Sequence, residues 1–174
     1  MLRGWEKQLG HYLAGLIDGD GHFNKNTYLS ICFSKSDAFL AYTIKERLGY
    51  GNVKKIKNKN AYLLNITKQE GILKILNLIN GKIRSEHRYN QILKNVISNE
   101  KYKNIKLNLN VSNDFNNHYL AGFTDADGSF QIKCIFRRSK PEIRLNYQIA
   151  FPPASYKNIK VSRSWGGETN RSKK

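Results

Sequence analysis

The sequence predicts an α+β protein made of two related halves, of which the second is incomplete. The first observation behind this prediction is a repeat: residues 11–23 return at residues 118–130 with nine of thirteen positions identical. A spacing of 107 residues is too long for a solenoid or propeller unit and fits two copies of one small domain. The second observation is that the periodicity after the first copy alternates between helix and strand patterns.

The first half is predicted to have the element order αββαββα, followed by one further helix. Helical periodicity and capping residues place helices at about residues 7–19, 36–48, 68–78 and 86–98. Alternation and turn residues place strands just before residue 24 and at residues 28–34, 52–57 and 61–67. This order is typical of one antiparallel sheet covered by helices on one face.

Two faces can be assigned from the alternation. In the strand at residues 28–34, Leu29, Ile31 and Phe33 are predicted to point toward the core, with Tyr28 and Ser30 on the opposite face. The helix that follows is predicted to pack through an apolar stripe formed by Phe39, Leu40, Ile44 and Leu48.

The second half begins with the same kind of helix, at about residues 117–126. Its hairpin is predicted at residues 130–138 and 144–149, after which Pro152 and Pro153 cannot continue a strand ladder. We therefore predict a first repeat at residues 1–99, a linker at 100–117, a partial second repeat at 118–151 and a disordered basic tail at 152–174.

The charge of the chain predicts a polyanionic partner. The sequence has 30 Lys and Arg against 13 Asp and Glu, a formal net charge of +17, and 11% aromatic residues. This combination favours nucleic acid over an unfolded basic tail. Two lone cysteines without clustered histidines argue against a zinc site, and no apolar run approaches the length of a membrane span.

The repeated segments end in carboxylates that we predict to form a metal site. Small residues at Ala14, Gly15, Ala121 and Gly122 permit two helices to cross closely. Such a crossing would bring Asp20 and Asp127 together, where like charges repel and a divalent ion such as Mg²⁺ relieves the repulsion. Paired carboxylates with Mg²⁺ beside a phosphodiester are typical of metal-assisted hydrolysis. Asp18 and Asp125 are predicted to have structural roles or to support the metal ligands without binding the metal.

The segments Leu-Ala-Gly-Leu-Ile-Asp-Gly-Asp-Gly and Leu-Ala-Gly-Phe-Thr-Asp-Ala-Asp-Gly resemble the motif of the LAGLIDADG homing endonucleases and the related intron maturases. Two motifs at this spacing resemble the double-motif, group I intron-encoded branch. The resemblance implies an αββαββα fold in each half, motif helices at the interface, and saddle-shaped sheets that bind double-stranded DNA in its major groove.

The resemblance also implies roles for individual residues. Asp20 and Asp127 match the metal-binding carboxylates, and the carbonyl groups of Gly19 and Ala126 match additional metal ligands. Lys35, before the second helix, and Lys82, in the segment Asn-Gly-Lys-Ile-Arg, match lysines at the edge of the active site. DNA contacts are predicted for polar residues on the exposed strand faces: Tyr28, Ser30, Lys133, Arg137, Arg144, Asn146 and Gln148.

The predicted function is therefore site-specific, Mg²⁺-dependent cleavage of double-stranded DNA. Two alternatives stay open: an RNA-binding maturase that assists splicing of a group I intron, and an inactive endonuclease shortened in its second repeat. The Lys- and Asn-rich composition is compatible with an organelle genome, mitochondrial in the first place and chloroplast as the alternative. A monomer is expected, with a dimer as the alternative if the second repeat is truncated.

Overall fold

The computed structural model describes residues 4–137 and 140–149, which pack as two compact units that meet in sequence between Asp127 and Gly128. The helices of the first unit are α1 (Gly4–Asp20), α2 (Ala38–Leu48), α3 (Gln69–Ile79), α4 (Glu86–Ile92) and α5 (Tyr119–Asp127). Its strands are β1 (Gly21–Phe23), β2 (Leu29–Ser34), β3 (Asn52–Lys55) and β4 (Ala61–Ile66). The predicted order αββαββα is confirmed. The further helix is also present as α4, which continues as a π-helical turn over Leu93–Ile97.

The four strands form one antiparallel sheet in the order β1-β2-β4-β3. Its inner face consists of apolar side chains that are at most 1% exposed: Phe23, Leu29, Ile31, Leu64 and Ile66. The predicted alternation in β2 is thus confirmed. Helix α3 adds Ile72, Ile75, Leu76 and Ile79 to the core. The other face of the sheet is mixed, with Ser30 and Asn65 beside Cys32 and Leu63.

The predicted apolar stripe of α2 is wrong at one position. Phe39 is 82% exposed, while Ala41, Ile44 and Leu48 are buried. The spacing of these three residues (i, i+3, i+7) gives the helix a narrow inner face that excludes residue 39. The helix ends as predicted, because Gly49 adopts the left-handed conformation with φ of 72° and its N–H bonds to the carbonyls of Lys45 and Glu46.

Residues 100–117, the predicted linker, form neither helix nor strand and are held against the loop after α3. The N–H of Gly81 donates to the carbonyl of Asn108 at 3.0 Å, and that of Asn110 donates to the carbonyl of Ile83 at 2.8 Å. The buried guanidinium of Arg84 donates to the carbonyls of residues 112 and 114 and lies 4.2 Å from the centre of the Phe115 ring. These contacts therefore fix the path of the chain that leads to α5.

The second unit contains a hairpin of β5 (Gly128–Arg137) and β6 (Lys140–Ile149), close to the predicted strands. One face is apolar and exposed: Phe130 is 76% exposed, Ile132 is 72%, and the Phe130 ring stacks on Tyr147 with centroids 4.8 Å apart. The predicted tail at residues 152–174 lies outside the described residues. Within the described ranges, no helix is long and apolar enough to cross a membrane.

Candidate metal and nucleic-acid site

Helices α1 and α5 touch backbone to backbone. A Cβ atom added at Gly15 would overlap the carbonyl oxygen of Tyr119 and lie 2.7 Å from the amide nitrogen of Phe123. A Cβ at Gly122 would overlap the carbonyl oxygen of Tyr12. The predicted close crossing is confirmed for these two glycines. It is wrong for Ala121, which is exposed, because its side chain points away from the crossing.

Two reciprocal hydrogen bonds join the crossed helices. The hydroxyl of Tyr119 donates to Asp18 Oδ2 at 2.7 Å, and the hydroxyl of Tyr12 donates to Asp125 Oδ2 at 2.7 Å. Tyr12 and Tyr119 occupy the same position of the repeated segment, as do Asp18 and Asp125. Each copy of the motif therefore supplies the donor for the carboxylate of the other copy.

The two pairs differ in burial. Asp18 is 5% exposed and also accepts the backbone N–H groups of Arg84 and Ser85, at 2.8 and 3.1 Å. Burial raises the pKa of Asp18 to about 6, and the hydrogen bonds from Arg84, Tyr119 and Ser85 oppose that rise. Asp125 is exposed. The structural role predicted for Asp18 is thus visible as a junction between α1, α5 and the loop before α4.

Tyr119→Phe is expected to destabilise the fold by about 2 kcal/mol, because it removes a hydrogen bond to a buried carboxylate. The matched variant Tyr12→Phe removes the equivalent bond to an exposed carboxylate and is expected to cost about 0.5 kcal/mol. Urea unfolding at equal m value measures the difference. Equal losses for both variants would contradict the assigned importance of burial at Asp18.

Asp20 and Asp127 are the last residues of α1 and α5 and lie at the same end of the helix pair. A Cβ at Gly19 would overlap that of Ala126 and lie 3.7 Å from the Cβ of Asp127. The pKa of Asp20 is raised, first by partial burial and then by the charge of Asp127, while Arg88 lowers it. The two carboxylates thus lie close enough to interact, at the negative ends of two helix dipoles.

A buried arginine, which the sequence did not predict, adjoins this end of α1. Arg88 is 8% exposed; its Nη2 donates to the carbonyl of Gly19 at 3.4 Å and its Nη1 to Gln91 Oε1 at 2.7 Å. Burial lowers the pKa of Arg88, whereas the negative charges of Asp18 and Asp20 raise it. The guanidinium therefore offsets part of the negative charge near Asp20.

The oxygen atoms at this end of the helix pair are of the kind that hard divalent ions such as Mg²⁺ bind. Among the described residues there is no group of three or more His, Cys, Asp or Glu side chains that could hold a metal ion. Mg²⁺ usually binds through one or two carboxylates together with water and substrate phosphates. Asp20, Asp127 and the adjacent carbonyl groups of Gly19 and Ala126 supply hard oxygen atoms of this kind.

The two predicted lysines lie in different places. Lys35 is exposed and directly follows β2. It lies four residues after Ile31, which pairs with Gly21 in the sheet, and four residues span about 13 Å along a strand. Lys82 lies beside the other half of α1: its Cε is 3.2 Å from where a Cβ of Gly10 would be. Gly10 precedes Asp20 by about 15 Å along the helix axis. The structure therefore does not bring Lys82 to the carboxylates as expected, because the loop after α3 passes Gly10.

The predicted nucleic-acid contacts lie on exposed strand faces. Ser30 is half-buried on the outer face of the four-stranded sheet, and Tyr28 is exposed directly before β2. In the hairpin, Lys133 pairs with Arg144, and the candidate residues whose side chains are described are exposed on one face: Lys133, Arg144, Asn146 and Gln148. Arg144 is also bound to Glu142, with Nε 2.8 Å from Oε1. The side chain of Arg137 lies outside the described residues.

Comparison with known proteins agrees with the motif and the fold. Residues 7–80 match the model of the LAGLIDADG-like domain. The chain contains a LAGLIDADG-like domain. An uncharacterized cox1 intron-2 protein of 37.2 kDa from Schizosaccharomyces pombe is 53% identical over 148 residues, which are 83% of this chain and 46% of that protein.

Two further relatives come from Saccharomyces cerevisiae. The intron-encoded DNA endonuclease aI3 is 33% identical over 81% of this LAGLIDADG chain and 42% of its own length. The intron-encoded RNA maturase bI4 is 34% identical over 70% of the chain and 19% of its own length. The chain thus spans less than half the length of each of these relatives.

Solved structures share the fold at low sequence identity. The I-LtrWI LAGLIDADG homing endonuclease bound to target DNA has a TM-score of 0.60 and 18% identity, covering 83% of this chain and 67% of its own. The meganuclease I-AabMI bound to uncleaved DNA has a TM-score of 0.56 and 20% identity, covering 79% of this chain and 65% of its own. The α+β LAGLIDADG fold is therefore confirmed.

Proposed function

We propose that this LAGLIDADG chain cleaves double-stranded DNA by metal-assisted phosphodiester hydrolysis, with Asp20 and Asp127 as the metal-binding carboxylates. The observation that carries the proposal is the meeting of these two side chains at the ends of crossed helices. A plain structural role does not account for it, since the charge of Asp127 raises the pKa of Asp20. Bound Mg²⁺ would supply Lewis-acid stabilisation of phosphate charge and an activated water.

The remaining residues have positioning roles in this proposal. The carbonyl groups of Gly19 and Ala126 would complete the protein ligands. Lys35 lies about 13 Å along the strand from the level of Gly21, and Lys82 lies beside Gly10. We propose that both lysines neutralise DNA backbone charge rather than contact the metal-bound water.

The polar strand faces are proposed as the DNA-binding surface. Tyr28 and Ser30 would contribute from the first unit, and the hairpin would contribute Lys133, Arg137, Arg144, Asn146 and Gln148. The net charge of +17 supports binding to a polyanion, with affinity that falls steeply as salt increases. The similarity to a cox1 intron protein and to fungal intron-encoded endonucleases favours a mitochondrial over a chloroplast origin.

The test is a cleavage selection. The full chain is incubated with Mg²⁺ and a library of double-stranded DNA carrying randomised sites, and the new ends are sequenced. We expect cuts at one defined sequence that disappear in EDTA. Absence of site-specific cuts in Mg²⁺ and in Mn²⁺ would contradict the nuclease proposal.

A second candidate function is RNA binding that assists group I intron splicing. It is favoured by the 34% identity to an intron-encoded RNA maturase. In that case splicing of the cognate intron would persist in the Asp20→Asn protein, because the carboxylate pair would have no part in it. RNA binding no tighter than that of an unrelated basic protein would contradict this candidate.

A further inference from the structure

A row of uncharged hydrogen-bonding side chains crosses the exposed face of the four-stranded sheet. His22 pairs with Ser30, Ser30 with Asn65, and Asn65 with Asn52. Side chains that are directly opposite in antiparallel strands project on the same side and are close neighbours. The row thus spans all four strands on the face opposite the apolar core, and it begins two residues after Asp20.

His22 is held by a glutamine whose own orientation is fixed. Gln91 Oε1 accepts the backbone N–H of Phe23 at 3.0 Å and Nη1 of the buried Arg88 at 2.7 Å. With two donors on its oxygen, Gln91 turns its amide nitrogen toward His22 Nδ1, at 3.2 Å. A ring nitrogen that accepts an amide N–H carries no proton of its own, so the N–H group of the His22 ring is at Nε2. His22 therefore offers an N–H donor.

Asn65 also has its hydrogen-bond donor left to meet a ligand. The hydroxyl of Ser30 donates to Asn65 Oδ1 at 2.6 Å. Because the oxygen of the amide is occupied, its Nδ2 group remains to meet a ligand, and this group only donates. Two neighbouring positions of the row thus present donors to whatever lies on the sheet.

We propose that His22 and Asn65 determine base specificity by donating hydrogen bonds to acceptor atoms in the major groove. Gln91, held by Arg88, and Ser30 are the positioning residues. This inference rests on the proposed DNA-cleaving function. In the major groove, guanine shows the acceptors N7 and O6 and thymine shows O4, whereas adenine sets the donor N6 beside its acceptor N7 and cytosine shows only the donor N4. The row is therefore expected to favour guanine or thymine and to reject cytosine at the contacted positions.

The test is a binding selection without divalent metal, using the full chain and randomised double-stranded DNA in EDTA. Asn65→Asp replaces the donor by an acceptor and is expected to shift the preference at one base pair from guanine or thymine to cytosine, by about tenfold. Gln91→Leu frees the His22 ring and is expected to weaken the preference at a second base pair by about fivefold. Ratios between bases in one selection cancel any general loss of affinity from the added charge.

The matched control is His87→Ala, an exposed histidine on the same helix as Gln91, which is expected to leave both preferences unchanged. A ¹⁵N spectrum of the His22 ring gives a second readout, with the proton expected on Nε2 in the wild type. Unchanged base preferences in Asn65→Asp and Gln91→Leu, or a ring proton on Nδ1, would overturn the inference. A chain that selects a DNA sequence without cutting it would contradict only the nuclease proposal. A chain that selects no sequence overturns the inference, and cleavage in Mg²⁺ then decides the nuclease separately.

Discussion

Gly122→Ala is expected to force α1 and α5 apart and to destabilise the protein by about 2 kcal/mol. The new methyl group would overlap the carbonyl oxygen of Tyr12 and lie 3.0 Å from the amide nitrogen of Leu16, so neither contact can be relieved by turning a side chain. Overpacking of this kind costs up to about 3 kcal/mol, while replacing a helical glycine by alanine returns about 1 kcal/mol. The overlap is the larger effect. Urea unfolding measures the balance.

The control for this prediction is Gly4→Ala, which lies on α1 with nothing within 4 Å of the new Cβ. It gains helix propensity without a clash and is expected to leave stability unchanged or slightly higher. Gly15→Ala should behave like Gly122→Ala, because it meets the carbonyl oxygen of Tyr119 from the other helix. Wild-type stability in both Gly122→Ala and Gly15→Ala would show that α1 and α5 do not touch through their backbones.

Asp20→Asn and Asp127→Asn are each expected to lower DNA cleavage by about a thousandfold. The reason is the loss of a carboxylate ligand to Mg²⁺, which supplies several kcal/mol of transition-state stabilisation. Folding stability should be unchanged or higher, because the substitution removes one of two charges that repel each other. Single-turnover cleavage of the selected DNA in Mg²⁺, together with thermal melts, separates the two effects.

Asp125→Asn is the matched control for these variants. It lies two residues before Asp127 on the same helix, and an asparagine oxygen can still accept the hydroxyl of Tyr12. Its cleavage rate is expected to stay within about threefold of the wild type. A loss of cleavage as large as that of Asp127→Asn would mean that both carboxylates at the end of α5 are required, and not Asp127 alone.

The elements and the helix crossing were predictable because their causes are local. Alternation in β2, the glycine after α2 and the small residues at the repeat each depend on a few neighbouring positions. Phe39 was misplaced because it was grouped with the adjacent Leu40; it is five residues from Ile44, which places the two side chains about 140° apart around α2. The position of the Lys82 side chain beside Gly10 could not be predicted, because a motif position fixes the order of residues and not the path of the loop.

The polar contacts of the site were harder to predict, since they join residues far apart in sequence. Arg88 and Gln91 are on α4, 68 or more positions after the carbonyl of Gly19 and the N–H of Phe23 that they contact. A signal did exist for the tyrosines: Tyr12 and Tyr119 are identical in both copies of the repeat, as are Asp18 and Asp125. When two crossed helices carry the same donor and the same acceptor at matching positions, one contact between them can be made twice.

The central claim is that Asp20 and Asp127 together form one divalent-metal site. Electron paramagnetic resonance of Mn²⁺, titrated into the full chain bound to its selected DNA, measures this site directly. We predict tight Mn²⁺ binding in the wild type and in Asp125→Asn, and loss of that binding in the double variant Asp20→Asn/Asp127→Asn. Equal Mn²⁺ binding by the double variant and the wild type would contradict the account.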